Sequence, residues 1–120
     1  MDAEEFLSRL EAGDTDFSQI DLSGAILSEV DLSCINLRGS DLSAAILCKA
    51  KLYGADLREV NFSGADLRGA DLRVTRMEEA NFENANLIDA DWRNAEKYGA
   101  YFCNTVMPDG ELITDPNEYE

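Results

Sequence analysis

Large apolar residues recur along the chain at every fifth position. From Phe17 the series runs through Leu22, Leu27, Leu32, Leu37, Leu42, Leu47, Leu52, Leu57, Phe62, Leu67, Leu72, Met77, Phe82, Leu87, Trp92, Lys97, Phe102 and Met107, and eighteen of these nineteen positions are large and apolar. Two residues before each of them the chain turns small: eleven of the nineteen positions are Ala, among them Ala25, Ala55, Ala65, Ala80 and Ala95. The residue between is most often Asp or Asn, as at Asp21, Asp31, Asn36, Asp56, Asn61, Asp71, Asn81 and Asp91. A helix would wind such a stripe around its axis, and a plain strand would send successive leucines to opposite faces. The chain must therefore bend once per pentad, returning every Leu and every Ala to one interior.

The slot two residues after each Leu shows how it bends. Ten of eighteen such positions are Gly, Asn or Asp, and six of the eight glycines sit there: Gly24, Gly39, Gly54, Gly64, Gly69 and Gly99. A type II turn needs φ > 0 at its second central residue, which Gly adopts freely and Asn or Asp tolerates. Each pentad reads as a short extended side followed by a corner.

Segments such as Ala65-Asp66-Leu67-Arg68-Gly69 and Ala70-Asp71-Leu72-Arg73 resemble the A-(D/N)-L-x-x signature of the pentapeptide-repeat family, over roughly residues 15–107. The resemblance implies an all-β fold, a right-handed quadrilateral β-helix of about four to five coils with about 20 residues per coil. Coils ~4.8 Å apart make a rod on the order of 22 Å long. Residues 20 apart then stack in columns, and Phe62, Phe82 and Phe102 fall in one interior column above Leu22 and Leu42. Stacked aromatic pairs add ~0.5–1.5 kcal/mol each.

The flanks differ from the repeats. Residues 1–14 read as an N-terminal helical cap. Asp2 and Glu5 have capping-box spacing, Phe6, Leu7 and Leu10 make an apolar face, and Gly13 suits the stop. Residues 108–120 form an acidic tail, with Leu112 and Ile113 as its anchors and disorder expected beyond about residue 114. Its Met107-Pro108-Asp109-Gly110 start resembles an ending seen in many cyanobacterial members of the family. Lys97 breaks the interior series, so the last coil is expected to fray there with the Lys stem snorkelling outward.

Composition narrows the function. The formal net charge of −15 disfavours nucleic-acid binding and docking on anionic lipid. The acidic start Met1-Asp2-Ala3-Glu4-Glu5 and the lack of a long apolar run lead to the expectation of a soluble cytoplasmic protein. Cys34, Cys48 and Cys103 are widely spaced and there is no histidine, which argues for reduced thiols and against a disulfide framework or zinc site. The Asp columns, Asp21 over Asp41 and Asp71 over Asp91, diverge on a flat face, whereas calcium needs converging oxygens. No cofactor, metal or catalytic residue is expected, and neither is a concave pocket in a filled rod.

Two functional readings follow. In the first the rod is a non-enzymatic interaction or structural module. Ile26 and Ile46 replace the usual Asp in pentads 20 residues apart, with Cys48 adjacent and Ile88 two coils along. This strip is expected either to meet a protein partner or a second copy, or to lie under a terminal segment. The alternative, carried by the resemblance, is a DNA mimic acting on an enzyme such as gyrase, as quinolone-resistance members of the family do. Charge placement disfavours it: residues 17–107 hold fourteen Asp or Glu against nine Lys or Arg, so most of the net charge lies in the flanks. Arg38 over Arg58 and Arg73 over Arg93 are also expected to form positive stripes, and Tyr53 over Arg73 a surface cation–π contact.

Overall fold

The computed structural model describes residues 1–118. A helix, α1 (Ala3–Glu11), precedes the coiled region, and a short antiparallel pair, β1 (Thr105–Val106) with β2 (Leu112–Ile113), closes its far end before a 3-10 turn at Pro116–Glu118. Between them fifteen parallel bridges join residues 20 apart, from Asp16 with Asn36 to Asn86 with Val106. Four pentads therefore make one coil, and each side of a coil hydrogen-bonds to the same side of the next. On one side, for example, the Leu22 N–H donates to Asp41 O at 2.8 Å and the Asp41 N–H to Ile20 O at 2.9 Å. The whole molecule measures 41 × 24 × 22 Å, the coiled rod being extended by both caps.

The corners are of one kind. Eighteen residues, every fifth from Gln19 to Asn104, have φ between 52° and 74°. A bond such as the 3.0 Å one from the Ala25 N–H to Leu22 O closes the type II turn. Eight of these corners carry neither Gly, Asn nor Asp, so the ladder between coils imposes a backbone conformation that the local sequence does not prefer. Val74, at φ 62° with its N–H held on Arg93 O at 3.0 Å, is the most strained, because β-branched side chains resist the left-handed region. Val74→Gly is expected to raise stability by about 1 kcal/mol, net of the extra freedom Gly gives the unfolded chain. Urea titration of the two proteins checks this, and an unchanged or lower midpoint would contradict it.

Inside, every member of the five-residue series from Phe17 to Leu87 is 2% exposed or less. Phe62, Phe82 and Phe102 stack face to face, with centroids 5.1 and 5.3 Å apart and planes within 10°. Alanines from Ala45 to Ala90 fill the tight slot beside them. Where a polar residue takes that slot it is hydrogen-bonded, as burial demands. The Ser40 hydroxyl donates to Phe17 O and accepts from the Ile20 N–H, while the Thr75 and Thr105 hydroxyls donate to Leu72 O and Phe82 O.

The N-terminal cap follows the sequence with two corrections. Asp2 Oδ1 accepts from the Glu5 N–H at 2.8 Å, but among the described residues Glu5 does not return the bond. The apolar face is Phe6 with Leu10, and Leu7 points outward at 36% exposure because it lies roughly 100° round the helix from Phe6. Gly13, at φ 98°, ends the helix. Its N–H donates to Leu10 O and that of Asp14 to Arg9 O, the paired bonds of a Schellman stop. Phe6 is fully buried and meets Phe17 edge to face at 4.6 Å, closing the first coil.

The last coil departs from the sequence reading at Lys97. No fraying occurs at Lys97: Glu96 bridges Arg76, the Ala100 N–H donates to Lys97 O, and Lys97 Nζ lies 4.2 Å from the Trp92 ring centroid. The aromatic face holds the ammonium at the coil end, so the backbone keeps its path. The tail turns at Pro108-Asp109-Gly110, seats Ile113 in the core at 5% exposure and leaves Leu112 outside. Within the stretch expected to be disordered, Asp115 meets the 3-10 turn, accepting from the Asn117 N–H through its side chain and from the Glu118 N–H through its carbonyl. Positions 119 and 120 lie outside the described residues.

Candidate interaction surface

Two residues of each pentad, those flanking the interior Leu, point outward. At all twelve Asp and Asn of the first outward slot the side chain accepts from the N–H two residues on. Ser23 donates to Asp21 in this way at 2.9 Å, and Ser63 to Asn61 at 2.9 Å. This is the Asx-turn bond that braces a corner. The Asp columns are therefore spent on the backbone, each carboxylate tied to its own pentad.

Where Arg follows two residues after Asp, the pair forms a fork. Arg58 clasps Asp56, Arg68 clasps Asp66, Arg73 clasps Asp71 and Arg93 clasps Asp91, with N–O distances of 2.6 to 2.9 Å for Nε to Oδ1 and Nη2 to Oδ2. Arg38 pairs with Glu59 at 3.0 Å. The positive stripes expected at Arg38–Arg58 and Arg73–Arg93 are thus ladders of ion pairs, because each Arg has a carboxylate within hydrogen-bond reach. Tyr53 does lie over Arg73, with Cζ 5.2 Å from the ring centroid.

The forks shift the carboxyls. Hydrogen bonds from Arg68 and Arg93 hold Asp66 and Asp91 at about 2, and Arg58 and Arg73 lower Asp56 and Asp71. A depressed carboxyl stabilises the fold above its unfolded value, near 3.8, and that contribution is lost as pH falls towards 2. The melting temperature is therefore expected to hold from pH 7 to about 5 and to drop between about pH 4 and 2. Asp66→Asn should make that drop shallower; an identical acid profile in the variant would contradict the assignment.

The apolar exterior is sparser than a continuous strip. Ile26 is 73% exposed and, among the described residues, neither terminal segment covers it; Ile46 bridges it on the next coil and is partly buried. Beyond Ile46 the side is interrupted by the Asp66–Arg68 fork. Arg68 Nη2 lies 3.6 Å from Cys48 Sγ, and a hydrogen bond to the Asp66 carboxylate pushes the Cys48 thiol up, away from reactivity. Ile88 stands on the far side of the fork at 36% exposure, near the tail's Gly110, so it does not join Ile26 and Ile46. The interior Phe62, Phe82 and Phe102 reach no surface.

Three exposed residues escape the five-residue reading: Val74 on its corner, and Tyr98 and Tyr101, 84% and 42% exposed on adjoining sides of the last coil. The Asp-x-Arg forks also escape it. Their signal is present in the Asp-Leu-Arg triplets, since residues two apart on one short strand face the same way.

A pentapeptide-repeat family model matches eight copies over residues 12–43, 35–73 and 75–96. Among curated proteins none matches the chain. Of solved structures, the chain is similar to Rfr23, a pentapeptide repeat protein of the cyanobacterium Cyanothece 51142, at 23% identity and TM-score 0.65, with 93% of this chain and 99% of that one covered. It is also similar to a trypsin-treated form of QnrB1, a plasmid-mediated fluoroquinolone resistance protein, at 19% identity and TM-score 0.51, covering 78% and 66%. A third is HetL of Nostoc sp. strain PCC 7120, involved in heterocyst differentiation regulation, at 35% identity and TM-score 0.46; 81% of this chain matches but it spans only 42% of HetL. With its coil of four pentads, bridges 20 residues apart and eight matched repeats, the chain belongs to the pentapeptide-repeat family, whose members fold as right-handed β-helices.

Proposed function

We propose that the chain is a non-enzymatic interaction module whose rigid rod displays one working side, the one bearing Ile26 and Ile46. A single observation carries this reading. Twelve outward slots carry an Asp or Asn that braces its corner; among the seven that do not, Ile26 and Ile46 stack on neighbouring coils and present branched apolar side chains, Ile26 being 73% exposed. Each lost bond weakens the fold by about 0.5–1.5 kcal/mol, and an exposed Ile returns little of it. A residue that costs stability and remains in water is best explained by what it meets.

The absence of histidine and the raised Cys48 thiol support a role without catalysis. The ion-pair forks weigh against DNA mimicry, since a duplex presents about one unpaired charge per 1.7 Å whereas this rod neutralises its own. A pull-down from a native lysate tests the reading. The wild-type chain is expected to capture a partner that Ile26→Asp/Ile46→Asp does not; identical capture by both proteins would remove this side as the working surface.

A further inference from the structure

The residues around Ile26 and Ile46 name a partner. On the corner beside them stand Glu29 and Lys49, again 20 residues apart, both exposed and neither in an ion pair among the described residues. The arginines of the rod are all paired, whereas these two, like Lys51 on the adjoining side, keep their charge outside any such pair among the described residues, and they are the charges that flank the two isoleucines. Lys49 does not turn back to Glu29: its stem runs towards the next coil, where a Cβ added at Gly69 would stand 3.2 Å from Lys49 Cγ. The patch thus consists of two rows, one with Ile26, Ser28 and Glu29, the next with Ile46, Cys48 and Lys49, ~4.8 Å apart.

This pattern is its own complement under one operation. A two-fold axis lying in the surface, along the strand direction and midway between the rows, exchanges the rows and keeps each residue's place along its row. It sets Ile26 on Ile46 of the second copy, and Glu29 against Lys49 of the second copy, each contact occurring twice as an isologous interface requires. Either row against itself would instead place Glu29 on Glu29 and Lys49 on Lys49. We infer that the occupant of this side is a second copy of the chain, docked face to face with its rod antiparallel and held by the Ile26–Ile46 and Glu29–Lys49 contacts. The inference rests on the reading of this side as the working surface and identifies what it binds.

The patch is two rows deep, so the dimer falls in the small, weak class of interfaces burying less than about 1,200 Å² and forms at micromolar concentrations or above. Its charge pairs make it salt-sensitive.

Sedimentation equilibrium of the full chain tests the inference, with circular dichroism to confirm that each variant is folded. Glu29 and Lys49 lie outside the core, so reversing either charge leaves the coil intact. The wild type is expected to dimerise, and Glu29→Lys or Lys49→Glu alone to dimerise about tenfold more weakly, because like charges then meet twice. An equimolar mixture of the two variants should recover the dimer, since the lysine introduced in one then faces the glutamate introduced in the other. A wild type that stays monomeric to several hundred micromolar, or a mixture no more associated than its components, would overturn the inference. A monomeric wild type that still loses a captured partner on Ile26→Asp/Ile46→Asp would sink only the second copy. If those substitutions alter neither mass nor capture, the working-surface reading falls with it.

Discussion

Phe82→Ala is expected to cost about 3–5 kcal/mol, a large part of the roughly 5–15 kcal/mol that holds a domain folded. Phe82 is fully buried between two parallel rings, Phe62 at 5.1 Å and Phe102 at 5.3 Å, so truncation removes two stacking contacts and leaves a hole in a column the coils cannot close. The ladder bonds above and below fix the distance between coils, so the cavity stays open. Phe82→Leu is the control. Leu22 and Leu42 occupy the same column, which shows that the slot accepts Leu, and this variant should lose only about 1–1.5 kcal/mol. Urea titrations separate the two; equal, small losses would mean that the column is not packed as described.

Phe6→Asp should have an effect of similar size but different shape. It places a carboxylate where a fully buried ring meets Phe17 at 4.6 Å, losing the ring's burial and adding desolvation, about 3–5 kcal/mol for the cap. Each coil touches only its neighbours, so the damage stays local: α1 detaches while the later coils keep their ladder. The opened first coil then presents apolar surface and unpaired backbone edges, which invite association. Hydrogen exchange should rise in residues 1–35 and stay slow in the coils beyond residue 60, with loss of helical ellipticity and a concentration-dependent gain in mass. Uniform loss of protection along the whole chain would contradict a cap that acts on one end only.

Much of this architecture is legible without any coordinate. The interior series, the corner slot and the Phe62–Phe82–Phe102 column all follow from a period of five folded into coils of 20, because a solenoid turns sequence spacing directly into spatial neighbours. What fails to read out depends on side chains choosing between neighbours. Columns place Arg38 over Arg58, yet Arg58 takes Asp56 of its own strand, the nearer and better-aligned partner. Ile26 and Ile46 share a column, but Ile88 lies in the neighbouring one, and the Asp66–Arg68 fork that separates them fills both columns on the coil between. Lys97 reads as a break in the coil because the series counts only apolar residues and cannot see a cation resting on Trp92. The tail's pairing of Leu112–Ile113 with Thr105–Val106 depends on which edge the last coil leaves open, and no repeat encodes that. Glu29 and Lys49 are invisible for a related reason. Their meaning lies in the bonds they do not make.

Ile26 and Ile46, if kept for contact as proposed, are kept at the expense of stability. Thermal and urea denaturation of Ile26→Asn/Ile46→Asn tests this most directly, because Asn restores the corner bond seen at Asn61 and Asn81 without adding charge. The double variant is expected to be as stable as the wild type or more stable, by up to about 1–3 kcal/mol, with its association lost. A loss of more than about 2 kcal/mol would show that the two isoleucines hold the fold together, as buried side chains do, and would contradict the assignment of this side to binding.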